Sequence, residues 1–175
     1  MMHNIKNMSN LILIRGYPAS GKSTQGKLLQ QEGKGTFIDH NDILNFISSY
    51  TKNDDGIYED INNLELAMIN KLLEENNDVI VARGFSSLDS IQKYINVGTK
   101  NNSKIYIFRL DADISNLENR VLDPNRKSGF NPVNEKESLS KYIKDSPMQN
   151  LDNEIIINSN LDKNEVLKQI LENIR

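Results

Sequence analysis

The sequence predicts an α/β fold of three layers, with helices on both faces of a five-stranded parallel sheet. Three observations predict it. Five short apolar runs, Leu11–Ile14, Thr36–Ile38, Val79–Ala82, Ile105–Leu110 and Ile155–Ile157, are continuous rather than alternating, as strands covered on both faces must be. Segments of helical spacing separate these runs, and strand–helix alternation implies parallel pairing. A glycine-rich turn, Gly16-Tyr17-Pro18-Ala19-Ser20-Gly21-Lys22-Ser23, sits between the first run and a helical segment.

Each element has its own signal. After the turn, Thr24 to Glu32 reads as a helix with Leu28 and Leu29 on its inner side. The second strand runs into Asp39-His40-Asn41-Asp42-Ile43-Leu44; Asp39 ends the strand and Asp42 begins a helix through Ile47. Ile61, Leu64, Met68 and Leu72 recur at three or four residues and predict one apolar face ahead of the third strand. Leu88 to Ile95 is a further helix, and Ile114 to Leu122 follows directly on the fourth strand. Asp162-Lys163-Asn164-Glu165 resembles a capping box, opening a last helix that buries Val166, Leu167, Ile170, Leu171 and Ile174.

One stretch breaks the rhythm. Asp123 to Pro147 holds three of the four prolines, with Arg126, Lys127, Lys136 and Lys141 and few apolar residues. A polar loop of this length is either disordered or functional. Following a helix that bears Arg120, it reads as a lid-like insert, at about 123–147, over the glycine-rich turn. Residues 1–9 read as a flexible leader, and 1–175 as a single domain.

Composition narrows the chemistry. With no cysteine, the chain has neither disulfides nor a thiolate zinc site, and its two histidines, His3 and His40, are too few for a histidine-rich metal centre. A net charge of −3 offers no broad attraction to a nucleic acid backbone. Met1 to Asn10 lacks an apolar signal core, and no segment approaches the roughly 20 apolar residues that cross a bilayer. A cytoplasmic protein with no membrane role and no obligate protein partner is expected.

The turn matches G-x-x-x-x-G-K-[ST], and its strand–loop–helix setting gives the match meaning. Gly16 and Gly21 permit backbone angles at which successive N–H groups turn inward on a phosphate. The start of the next helix adds unpaired N–H groups and partial positive charge. Gly16, Pro18, Ala19, Ser20, Gly21, Lys22, Ser23 and Thr24 are therefore the candidate nucleotide-binding residues. Lys22 would reach the β- and γ-phosphates, and the Ser23 hydroxyl would take a Mg²⁺ position.

Phosphoryl transfer also needs an acceptor side and positive charge for the moving group. Ligands of open α/β sheets bind at the C-terminal ends of the strands. There, Asp42 or Asp39 could accept the acceptor hydroxyl's proton, or orient that hydroxyl and help hold Mg²⁺ through water; either could instead cap the helix. His40 reads as a bystander or an acceptor contact. Arg83, between the third strand and Gly84, could bind the acceptor or the γ-phosphate, or make a salt bridge. Arg120 and Arg126 are candidate phosphate clamps, since a guanidinium matches phosphate oxygens in bidentate fashion. Arg15 reads as structural; Asp111 and Asp113 could take a Mg²⁺ role, but read first as solvated or capping.

Together, Gly16 to Thr24, Asp42, Val79-Ile80-Val81-Ala82-Arg83-Gly84-Phe85, Arg120, Arg126 and Ile155-Ile156-Ile157-Asn158-Ser159 resemble a small P-loop kinase. They are similar to the branch with polynucleotide 5′-hydroxyl kinases, zeta-toxin kinases and chloramphenicol phosphotransferase. That resemblance implies the strand order 2-3-1-4-5, ATP with Mg²⁺, and an aspartate after the second strand acting on a hydroxyl; by position the role falls on Asp42, with Asp39 in reserve. Ile43, Leu44 and Asn45 stand where branch members often carry an arginine. Gly21-Lys22-Ser23-Thr24-Gln25 and Gly84-Phe85 also resemble nucleoside monophosphate kinases, but Ser86 and Ser87 replace their Pro and phosphate-binding Arg. The expected activity is transfer of the γ-phosphoryl group of ATP to a hydroxyl of a small molecule, a nucleoside or, less favoured, a polynucleotide 5′ end. The alternatives are a nucleoside monophosphate kinase and a nucleotide-binding or ATPase module that transfers to no acceptor.

Overall fold

The structure, a computed structural model, describes residues 8–48, 57–126 and 133–174. The expected leader and lid-like insert lie partly outside the described residues, and His3 and Lys127 wholly so. In chain order the elements are β1 Asn10–Arg15, α1 Lys22–Gln31, β2 Thr36–Asp39, α2 His40–Ser48, α3 Ile57–Glu74 and β3 Val79–Ala82. There follow α4 Leu88–Lys100, β4 Lys104–Asp111, α5 Ile114–Val121, α6 Lys136–Asp145, β5 Glu154–Asn158 and α7 Lys163–Asn173. The sheet order is β2-β3-β1-β4-β5, with every pair parallel.

Successive strand side chains point to opposite faces, so a strand covered on both sides must be apolar at every position. β1, at the centre, shows this: Leu11, Ile12, Leu13 and Ile14 are all fully buried. Leu11 and Leu13 join Val79, Val81 and Ile107 beneath Ile69 and Leu73 of α3 and Ile91 and Tyr94 of α4. Ile12 and Ile14 join Ile80 and Phe108 beneath Leu29 of α1 and Val166, Leu167 and Ile170 of α7. The three layers follow.

Parallel register brings the C-terminal ends of β1, β2 and β3 to one edge, Ile14 beside Ala82 and Ala82 beside Asp39. On the other side, β1, β4 and β5 are tied by a buried ion cluster. Arg15, fully buried, donates from Nη1 to Glu154 Oε2 at 3.1 Å and from Nη2 to the Gln149 carbonyl at 2.8 Å. Arg109 Nη1 reaches Glu154 Oε1 at 2.9 Å. The structural reading of Arg15 holds.

Three expectations need correction. α2 begins at His40, not Asp42, because Asp39 caps it: Asp39 Oδ1 accepts from the Asn41 backbone N–H at 3.0 Å. α3 does not bury the face Ile61, Leu64, Met68, Leu72. Its stripe is Ile61, Glu65, Ile69 and Leu73, while Leu64 and Met68 are about 40% exposed. A buried carboxylate in the stripe carries no apolar signal, so the apparent phase was set by residues beside it. The polar stretch from Asp123 to Pro147 is not loop throughout, since it contains α6. Leu139 of that helix is fully buried against Leu117 and Val121 of α5, with half-buried Ile143 packed beside it, and this small cluster holds the helix at the rim. No helix among the described residues is long and apolar enough to cross a membrane.

Candidate functional site

The glycine-rich turn leaves β1 in unusual backbone conformations. Gly16 has φ of 149°, and a Cβ there would lie 2.6 Å from the Leu110 carbonyl oxygen; Ala19 is left-handed at φ 64°, as is Gly21 at 94°. Only glycine fits at 16, where the chain must pass β4 and turn at once. Ser20 N–H donates to the Tyr17 carbonyl at 3.2 Å, closing the turn. α1 then starts at Lys22 with Gly21 as its N-cap, and Gly21 offers no side chain to occupy the free N–H groups of the first turn.

Lys22 is folded back over this loop. Its ammonium donates to the Tyr17 carbonyl at 2.7 Å and lies 3.5 Å from Ser20 Oγ. Desolvation, reinforced by the positive charge of Arg126, brings its pKa down to about 7. The half-buried Ser23 hydroxyl, one residue on, has no hydrogen-bond partner among the described residues.

The loop forms one wall of a crevice of about 1020 Å³. Pro18, Ala19, Ser20, Gly21, Lys22, Ser23 and Thr24 line it, with Arg120 and Arg126 from the α5 side and Asp39, His40, Asp42 and Arg83 from the ends of β2 and β3. Lys27 and Lys163 add positive charge at the margin. Arg120 Nη2 donates to the Ser159 carbonyl at 2.6 Å, and Nη1 lies 3.5 Å from the Ala19 carbonyl, so α5 holds this cation against the loop. Arg126 Nη1 donates to the Val133 carbonyl at 2.5 Å, and burial lowers its pKa.

The opposite wall is better tied down than the sequence suggests. Asp39 is buried and its Oδ1 is engaged in the cap of α2, where it also accepts from Asn41 Nδ2 at 3.2 Å. Asp42 is exposed in the first turn of α2. His40 Nδ1 lies 2.7 Å from Oε2 of Glu65 on α3, whose side chain is fully buried. The same oxygen accepts from Arg83 Nη1 at 3.2 Å, and Arg83 also donates to Asn62 Oδ1 at 2.9 Å and to the Tyr94 hydroxyl. Burial and the nearby Glu65 push the Tyr94 hydroxyl up, against the opposing pull of Arg83. Arg83 therefore makes an internal ion pair while lining the crevice.

All the expected site residues except Gly16 thus line one crevice. Asp111 and Asp113 do not line it and are exposed, as solvated aspartates should be. The sequence reading missed Glu65, Asn62 and Tyr94. A four-residue repeat, Ile61-Glu65-Ile69-Leu73, was the available signal: one acid inside an apolar stripe marks a buried carboxylate with partners.

Residues 11–140 match a family model described as an AAA domain. Among solved structures, one from Chloroflexus aurantiacus J-10-fl, provisionally classed as a kinase, has a TM-score of 0.75 at 15% identity over 97% of this chain and 100% of that one. A gluconokinase from Sinorhizobium meliloti 1021 gives 0.63 at 16% identity, covering 94% and 91%. A chain of the Pnkp1/Rnl/Hen1 RNA repair complex gives 0.64 at 22%, with 82% of this chain matched to 46% of that one. No curated protein matches by sequence. At such identities the likeness to solved structures is one of fold.

Proposed function

Because the chain belongs to the AAA-domain family and has the fold of the small P-loop kinases, we propose that it is an ATP-dependent phosphotransferase acting on a hydroxyl group. One observation carries this reading: a single crevice joins the phosphate-type loop and three cations, Lys22, Arg120 and Arg126, to the β2–α2 corner with Asp39, His40 and Asp42. A binding loop alone would suit any nucleotide-dependent protein. The second wall gives a place for an acceptor within reach of the γ-phosphate.

The backbone N–H groups from Gly16 to Thr24 would cradle the phosphates, with Lys22 on the β- and γ-phosphates. Arg120 and Arg126 would meet the charge that grows on the transferred group, where a dry site makes them most effective. Asp42 would orient the acceptor hydroxyl from the solvent side, and Asp39 and Arg83 would border the acceptor. Ser23 fits a Mg²⁺ position because its hydroxyl, at the head of α1, is unpartnered among the described residues. No group of three or more His, Asp or Glu side chains suited to a metal occurs among the described residues, and phosphate-bound Mg²⁺ needs none. When bound, Mg²⁺ would neutralise charge on the bridging phosphate oxygens. Work in the cytoplasm, where ATP and Mg²⁺ are supplied, suits this chemistry.

Names among the solved relatives span acceptor classes, a gluconokinase, a shikimate kinase and an RNA repair complex. A small molecule, a nucleoside or a polynucleotide 5′ end is accordingly the acceptor range. ATP consumption measured against nucleosides, sugars, aminoglycosides, phenicols and 5′-hydroxyl oligonucleotides tests the reading. One class should yield a phosphorylated product that disappears in Lys22→Ala. ATP loss independent of every acceptor would favour a non-transferring ATPase, and product from a nucleoside monophosphate alone would favour a monophosphate kinase.

A further inference from the structure

We propose that His40, oriented by Glu65, takes the proton of the acceptor hydroxyl, so that the base of this enzyme is a carboxylate–imidazole pair rather than a lone aspartate. The inference rests on the proposed phosphotransferase function. Its geometric basis is independent of that function.

Of the two aspartates at the corner, one is committed to a helix cap and the other has no fixed direction. Asp39 is buried, with one oxygen engaged by Asn41 at the head of α2. Asp42 is exposed and has no side-chain partner among the described residues to fix its direction. His40, between them, is held. Its Nδ1 sits 2.7 Å from Glu65 Oε2, and the ring lines the crevice with 15% of its side chain exposed. A carboxylate at Nδ1 selects the tautomer with hydrogen on that nitrogen, which leaves the lone pair on Nε2. Nε2 has no hydrogen-bond partner among the described residues. Acceptor, base and orienting acid then follow the logic of a catalytic triad.

Glu65 is otherwise hard to explain. Its side chain is fully buried, and its Oε1 has no hydrogen-bond partner among the described residues. Leaving a buried carboxylate oxygen unsatisfied is costly, so a merely structural role would favour an apolar residue in this stripe. Arg83 compensates the buried charge from the end of β3 and is itself steadied by Asn62 and Tyr94. Among the described residues, the charged groups around the imidazole are Glu65 from α3, Arg83 just after β3, Asp39 from β2 and Asp42 from α2 itself.

The step balances. The acceptor oxygen forms its bond to the γ-phosphorus as the bond from that phosphorus to the β–γ bridging oxygen breaks, and the nucleoside diphosphate leaves with that electron pair. The hydroxyl proton passes to His40 Nε2. The imidazolium so formed keeps its Nδ1–H on Glu65, whose charge offsets it, and the proton is then released to water.

Two measurements on the full chain test this. Nitrogen-15 NMR of the imidazole should show the Nδ1–H tautomer for His40 at pH 8, with Nδ1 shifting in Glu65→Gln. An Nε2–H tautomer, or no response to Glu65→Gln, overturns the pair whether or not an acceptor has been found. With an acceptor from the screen above, His40→Ala should lose about 10²-fold or more in kcat with little change in the KM for ATP, and added imidazole should restore part of it. Glu65→Gln should lower kcat while leaving ATP KM unchanged. Full activity in His40→Ala overturns the inference and leaves the kinase reading intact. Absence of transfer to any acceptor by the unaltered protein instead overturns the kinase reading.

Discussion

Lys22 is the residue of the crevice whose charge depends most plainly on its surroundings. Its ammonium is desolvated beside Arg126, which puts its pKa at about 7, well below that of an ordinary lysine. A triphosphate against it would favour the charged form and raise that value. Binding should therefore take up close to one proton per site at pH 8, where the free side chain is mostly neutral, and almost none near pH 6, where it is already charged. Calorimetry in buffers of different ionisation heat measures this directly; uptake that does not grow between pH 6 and pH 8 would contradict the placement of Lys22. Arg126 would act at another stage of the proposed transfer. Its charge would be needed most as the phosphoryl group moves, so Arg126→Ala should lower kcat by roughly 10²-fold or more, with a smaller effect on ATP affinity. Equal losses in both would make it a ground-state contact.

At the scale of elements, the sheet was legible and some helix faces were not. A strand buried on both sides writes itself as an unbroken apolar run, and all five runs became strands within one residue at each end. α3 exposes its stripe less plainly, because Glu65 stands where an aliphatic residue is expected and Leu64 and Met68 suggest another phase. α6 was invisible for a related reason: one buried leucine with a half-buried isoleucine suffices where a helix covers only a small rim cluster. Polar anchors between elements leave even less trace. Glu154 joins three strands through Arg15 and Arg109, and both Glu154 and Arg15 are almost wholly buried. Glu154→Gln would leave Arg15 with uncompensated charge, a change that costs about 3 kcal/mol or more in comparable buried pairs. Urea unfolding should report such a loss; one below about 0.5 kcal/mol, typical of surface sites, would show that β1, β4 and β5 do not depend on the cluster.

For the whole molecule, the division of labour follows from the parallel sheet. Its core needs apolar residues at nearly every strand position, so the polar groups that do chemistry collect where the strands end. The glycine-rich loop follows β1, the proposed acceptor corner follows β2, Arg83 follows β3, and Arg120 and Arg126 lie on or just beyond α5. The loop half of this site could be read from the sequence because backbone geometry forces a short local pattern of glycine and lysine. Of the other wall, Asp39, His40, Asp42 and Arg83 could be read and Glu65 could not, since it reaches His40 and Arg83 across 25 and 18 residues of chain. The central claim is that the loop and Lys22 grip a triphosphate. Titration with MgATP in a calorimeter tests it most directly. Saturable binding near one site per chain, abolished in a Lys22→Ala variant that remains folded, is the expected result. A flat titration with both ATP and GTP in the presence of Mg²⁺ would contradict it.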